Sequence, residues 1–334
     1  MKNLKNKFLN KRKKNVLFFS FKQLKFFVLF AVFLVPKSFF AYSFAWFSDV
    51  QLEVGNRNIN DNEIRFSLSV SILENTVRKI NESNVDFVVI SGDIINNGRS
   101  WNLDAAKFIL DKLEKKYYVI LGNNDFAFPE TGMGISKSTF EYAFRKHQPH
   151  LQEMFWFDFP VTNVLLVGLN NINPISSGVV WTNKLLSELE RLFRENSEKE
   201  IIVFVHYPVV ELDYSGNGKP LYSANDFLSL CRKYKVKMIG SGHYHYKEFQ
   251  KIHGVVNAVC PSLTQFPHQF LIVKSEKNQL EIFSQNVLDV VTTEESKRFL
   301  RSKIKRILYA NPDLTEETIL QKISGKEKYQ YGKQ

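Results

Sequence analysis

The stretch Asp86-Phe87-Val88-Val89-Ile90-Ser91-Gly92-Asp93 decides how the chain is built. Its apolar run shows no polar alternation, which reads as a strand buried on both faces, as in α/β architectures. The run breaks at Gly92 and leaves Asp93 at the carboxyl end of the strand. The same arrangement recurs on either side. Upstream, Phe44 to Phe47 is a short apolar strand ending in Ser48-Asp49-Val50-Gln51. Phe66, Val70, Leu73, Val77 and Ile80 then recur at spacings of four and three, which predicts a helix from about Asn62 to Asn81. Downstream, a helix over Leu103 to Lys115 precedes a buried strand, Tyr117 to Leu121, ending in Gly122-Asn123-Asn124-Asp125.

Farther along, residues 126 to 155 read as an irregular insertion able to cover a site, with a helix near Thr139 to Lys146. Trp156 to Phe159 and Val164 to Leu169 read as paired strands, and Thr182 as the N-cap of a helix burying Leu185, Leu189, Leu192 and Phe193. Ile201 to Val205 is a strand ending in His206. A Gly-rich loop from Ser215 to Pro220 and a helix near Ala224 to Tyr234 follow. The apolar run from Val236 to Gly240 ends in Ser241-Gly242-His243-Tyr244-His245, where an extended loop would turn both imidazoles to one side. Val255 to Val259, Gln269 to Val273 and Leu280 to Phe283 are strands with short connections, hence antiparallel. Thr292 with Glu295 reads as a capping box, Phe299, Ile304, Ile307 and Leu308 as a helical stripe ended at Pro312, and Thr315 to Ile323 as a short helix. The last ten residues carry no sign of order.

The chain has 334 residues, 44% of them apolar, enough for one large or two modest domains. Its net charge of +11 suggests a nucleic-acid or membrane-surface protein until it is located. Residues 1 to 37 hold ten Lys and Arg and no Asp or Glu, so the remainder is nearly neutral and no specific nucleic-acid binding is expected. That leader runs from a cationic segment to the apolar run Phe26 to Val35, then Pro36, in the order of an export signal, and is shorter than a membrane span. Residues 1–41 are therefore read as a signal peptide or an uncleaved N-terminal membrane anchor, the second giving membrane contact. Residues 42–290 are the functional domain, 291–334 a helical extension, and the protein is exported. Cys231 and Cys260 read as buried apolar side chains, although an oxidising compartment would permit them to pair. Nothing in the sequence fixes the oligomeric state.

The strand ends present Asp49 with Gln51, Asp93, Asn123, His206, and His243 with His245. Loops at carboxyl strand ends converge on one crevice, so a carboxylate, amide or imidazole after each of five apolar strands points to a metal site. The order of motifs resembles the calcineurin-like metallophosphoesterases: Asp49-Val50-Gln51, Gly92-Asp93-Ile94-Ile95-Asn96, Gly122-Asn123-Asn124-Asp125, His206 and Gly242-His243-Tyr244-His245. The resemblance spans about residues 43 to 285, including Pro261-Ser262-Leu263. It implies an α/β sandwich of two mixed β-sheets flanked by helices, and a phosphate-ester substrate hydrolysed by a metal-bound hydroxide. It makes Asp93 the bridge between two divalent metal ions, Mn, Fe or Zn. One would be bound by Asn123, His206 and His243, the other by Asp49, Gln51 and His245. Asp93, Asn123, Asn124 and His206 form the implied catalytic set.

Three positions depart from the family pattern. Gln51 replaces a ligand histidine with a weaker amide donor that favours harder ions. Asn124 replaces the histidine used near the leaving group and has no titratable proton to donate, which favours a phosphodiester over a monoester. Asn96 replaces a supporting Asp. The alternative is a catalytically impaired member acting as an exported binding module. His147, His150, His253 and His268 read as surface or packing residues. Tyr207 and Tyr244 flank the ligands, lining either the substrate pocket or the core.

Overall fold

The computed structural model describes residues 41–55, 61–126, 134–176, 178–211, 219–277, 279–310, 312–324 and 328–331. The leader, most of the Gly-rich loop, part of the 126–155 insertion and residues 332–334 lie outside them. In chain order the elements are β1 (Tyr42–Phe47), α1 (Ser69–Asn81), β2 (Phe87–Ile90), α2 (Ser100–Leu110), β3 (Lys116–Val119) and α3 (Lys137–Ala143). Next come β4 (Phe155–Asp158), β5 (Val164–Leu169), α4 (Asn183–Glu195), β6 (Glu200–Val205), β7 (Val210–Glu211), β8 (Lys219–Pro220), α5 (Asn225–Lys233) and β9 (Met238–Ser241). The chain continues through β10 (Glu248–Ile252), β11 (Val255–Val259), β12 (Gln269–Glu276), β13 (Gln279–Asn286), α6 (Val290–Ser296), α7 (Arg301–Ala310), α8 (Glu316–Ser324) and β14 (Lys328–Tyr331).

Two mixed six-stranded sheets stack face to face. One has the order β14-β13-β12-β1-β2-β3 and the other β10-β11-β9-β6-β5-β4. β1, β2 and β3 run parallel, as do β11, β9, β6 and β5. Successive residues of β1 explain why an unbroken apolar run is needed: Phe44 and Trp46 enter the layer between the sheets, while Ala45 and Phe47 face the helices. The inter-sheet layer is rich in aromatic rings meeting edge to face, with Phe204 5.9 Å from Phe44 and 5.1 Å from Trp46. Helices α1 and α2 cover the outer face of the first sheet through Leu73, Val77, Ile80, Leu103 and Leu110. On the second, α4 and α5 contribute Leu185, Leu189, Phe193 and Phe227, each worth about 2 kcal/mol of apolar burial.

Several boundaries differ from expectation. The helix predicted from Asn62 begins at Ser69 after a 3-10 turn, Phe66–Leu68, and Phe66 is only partly buried. Asp289 caps α6 by accepting from the Thr292 amide, so the helix starts before the expected capping box. β10 was not foreseen, and neither was β14, which pairs with β13 inside the tail expected to lack order. Cys231 and Cys260 are buried and free, in separate clusters. Among the described residues no helix is long and apolar enough to cross a membrane.

Candidate metal centre

The carboxyl ends of β1, β2, β3, β6 and β9 deliver all the expected polar residues to one place. The backbone there is forced into the left-handed region at non-glycine residues, with φ of 53° at Asp49, 44° at Gln51, 51° at Asp93, 67° at His243 and 58° at His245. Each such residue costs about 1 kcal/mol or more and persists only where neighbours over-determine it. Here they do: Asp49 N donates to Gly92 O at 3.0 Å and Gln51 N to Asp93 O at 2.8 Å. Gly92 itself has φ +94°, and a Cβ there would lie 2.6 Å from His206 Nδ1. The left-handed turns also correct one expectation. The loop after β9 is not extended. Its two imidazoles enter different donor clusters, the division the resemblance implies.

Those clusters are Asp93, His206 and His243 on one side, and Asp49, Asp93 and His245 on the other, each with one atom per residue within 4.8 Å of the others. In the first, His206 Nδ1 lies 2.9 Å from Ser91 O, a carbonyl that can only accept. Nδ1 therefore holds a proton, and in the neutral ring it is the Nε2 lone pair that is left for a cation. That Nε2 sits 3.3 Å from Asp93 Oδ1 and 3.1 Å from Asn123 Oδ1. In the second cluster, His245 Nε2 is 3.1 Å from Asp49 Oδ1 and 3.2 Å from Gln51 Nε2. Turning the Gln51 amide over would put its oxygen there, the orientation a cation requires.

Charge is concentrated here on groups withdrawn from solvent. Asp49, Asp93 and His206 are all buried. Burial would raise the Asp93 carboxyl, but His206 beside it holds it well below the usual carboxylate range. Burial opposes protonation of His206, yet Asp93 pushes it up to about 9. His243 is pushed down to about 4 by burial and by His206. Two buried carboxylates flanked by imidazole and amide donors, with no thiolate, form a mixed oxygen and nitrogen set that fits divalent cations.

Around the clusters, Asn124 turns inward: its backbone N donates to Asp93 Oδ1 at 2.7 Å and its side-chain Nδ2 to Oδ2 at 2.6 Å. Asn96 donates to Glu53 at 2.7 Å, a supporting position outside both clusters. Sequence reasoning quoted Asp125 and gave it no role. It is buried and accepts from Ile94, Ile95 and Gly122 amides at 2.7, 3.0 and 2.8 Å, tying the β2 and β3 loops together. Ser262 and Thr264 were missed as well; their hydroxyls donate to Asp49 O at 2.8 and 3.3 Å. Tyr207 is buried with its ring 4.1 Å from that of His243, and Tyr244 is partly exposed. His147 stacks on Tyr117, His150 on Phe157, and His268 is buried against Leu263 O at 3.1 Å. These three and His253 lie outside both clusters.

A model of the calcineurin-like phosphoesterase family matches residues 42–247. A "probable cyclic nucleotide phosphodiesterase" of Xenorhabdus bovienii is 26% identical over 203 residues, covering 58% of this chain and 74% of the relative. A "probable glycerophosphodiester phosphodiesterase" of Arcobacter nitrofigilis is 29% identical over 128 residues, covering 38% and 43%. Among solved structures, a dimetal phosphatase from Danio rerio superposes with a TM-score of 0.59 at 16% identity, covering 74% of this chain and 97% of that one, a likeness of fold.

Proposed function

The chain belongs to the calcineurin-like phosphoesterase family, and from that premise we propose that it is a metal-dependent phosphodiesterase using two divalent cations on either side of Asp93. The observation that carries this reading is the pair of donor clusters sharing that one buried carboxylate. Asp93, Asn123, His206 and His243 would hold one cation, and Asp49, Gln51, Asp93 and His245 the other. When bound, the two cations polarise a phosphoryl oxygen and lower the pKa of a water molecule.

Asn124 donates its backbone N–H and one Nδ2 hydrogen to Asp93, so it orients the shared carboxylate, and its amide has no titratable proton to give a leaving group. Esters with a stable leaving group are therefore turned over faster than those that expel an alkoxide. The diester class itself is supported by the names of the two relatives, cyclic nucleotide and glycerophosphodiester phosphodiesterases. Gln51, a weaker donor than imidazole, favours a second reading, a family member that binds a phosphate ester without turning it over.

Assaying the purified chain with bis-aryl and mono-aryl phosphates, with Mn, Zn, Fe or Mg added, separates the two. The hydrolase reading expects the bis-aryl ester to be cleaved with the higher kcat/KM. Two ions bound per chain without turnover leaves the binding module, and no bound ions sinks both.

A further inference from the structure

The C-terminal helices lie outside the matched family region, yet they close against the Asp49 side of the site. Arg65 Nη1 donates to Ser296 Oγ at 2.9 Å, and its guanidinium lies 4.3 Å over the Phe299 ring. Its backbone N donates to Thr264 O at 2.8 Å. Arg306 pairs with Glu63, and Leu300, Ile304, Ile319 and Ile323 pack on Phe266. The segment Thr264 to Phe266 is thus held between these helices and Asp49.

Lys303 sits on the wrong face for a solvated lysine. In α7 it lies beside Ile304 and on the face of Leu300 and Ile307, the face that packs inward. Lys303 is only partly exposed, and a cation withdrawn from water is costly without a partner. Its ammonium is 3.4 Å from Gln265 Oε1, while Gln265 Nε2 donates to His245 O at 3.4 Å. Among the described residues no carboxylate stands within ion-pair distance of it. Burial pushes the ammonium down to about 8 against the pull of Asp49.

We propose that Lys303 is a substrate-binding residue, its ammonium donating to a phosphoryl oxygen on the Asp49–Gln51–His245 side of the site, so that the C-terminal extension completes the phosphate pocket. This rests on the phosphoesterase reading and adds to it a recognition residue from outside the family region.

The test is binding of inorganic phosphate to the full-length, Mn-supplemented chain by calorimetry, a readout that needs no turnover. Lys303→Gln and Lys303→Met are each expected to weaken phosphate binding about tenfold, as for loss of a charge-assisted hydrogen bond. Lys303→Arg should recover most of it, and the exposed neighbour Lys305→Gln should change nothing. Unchanged affinity in both neutral variants overturns the inference, as does an equal loss in Lys305→Gln, or no phosphate binding by the unsubstituted chain. Phosphate binding through Lys303 with no ester hydrolysed would keep the inference and sink the hydrolase. Diester hydrolysis with phosphate affinity indifferent to Lys303 would do the reverse.

Discussion

The two halves of the site share Asp93 and differ in how their other donors are held. On one side, His206 is buried, its tautomer is set by Ser91 O, and it meets Asn123 directly. On the other, His245 is partly exposed and its companion is the amide of Gln51. The first half grows straight from the ends of parallel strands. The second is finished from later chain: Ser262 and Thr264 hold the Asp49 backbone, and Gln265 links His245 to the C-terminal helices. The contrast teaches that ligand identity is half of a metal site and the support behind each ligand the other half.

Removing what the halves share should have the largest effect. Asp93→Asn is expected to lower kcat/KM at least about 1,000-fold, equivalent to about 4 kcal/mol of transition-state stabilisation, and to release both ions. Elemental analysis together with kinetics checks it. If the variant keeps two tightly bound ions, Asp93 is not the bridge.

The support behind the second half contains its own titrating group. His268 holds Leu263 O, and the Leu263 N donates to Ser48 O beside Asp49. Burial pushes His268 down to about 4, below the unfolded value near 6.5, so the folded chain favours the neutral ring. The unfolded chain then binds more protons between those values, and stability falls as pH drops from 6.5 towards 4. The loss amounts to about 3 kcal/mol at most. His268→Gln, which keeps a donor for Leu263 and cannot titrate, should flatten that part of the curve. Urea unfolding at pH 7, 5.5 and 4.5 reads the difference, and parallel curves for the two proteins would remove His268 as the cause.

Cutting one ligand from the better-held half is the next step down. His243→Ala should lower activity at least about 100-fold, close to 2.7 kcal/mol, and lose one ion while the Asp49 side keeps its own. A fully active variant would show that His243 is no ligand.

Much of the better half was legible in the sequence and less of the weaker one, for a physical reason. An apolar run followed at once by a polar residue is a local signal, and Asp93, Asn123 and His206 each carry it. Strands buried on both faces could be read because those runs lack polar alternation, whereas the two-sheet sandwich was implied by the family resemblance. β10, Glu248-Phe249-Gln250-Lys251-Ile252, stands at a sheet edge with no buried residue, so its composition does not announce a strand. β14 is defined by its pairing with β13, which no local pattern reveals. Ser262, Thr264 and Lys303 matter through contacts with residues far away in sequence, and Asp125 through amides on a neighbouring loop. The turn of His243 and His245 to different clusters depends on two left-handed residues that an extended reading of His-x-His cannot supply.

The smallest expected change tests the comparison most directly. Gln51 Nε2 lies 3.2 Å from His245 Nε2, so the side chain at position 51 reaches the second half. An amide oxygen is a poorer donor than imidazole to Zn or Fe and a tolerable one to Mn or Mg. If donor strength is what separates the halves, Gln51→His should tighten the weaker ion about tenfold, or about 1.4 kcal/mol, and shift preference towards Zn. The tighter ion should not change. Competition titration with Mn and Zn, resolving two binding events, measures both quantities in one experiment. An equal gain at both events would mean that the substitution acts through Asp93. No gain at either would mean that the limit lies in the Ser262–Gln265 support, because an added imidazole raises affinity only where the loops behind it hold His245 and Asp49 in place.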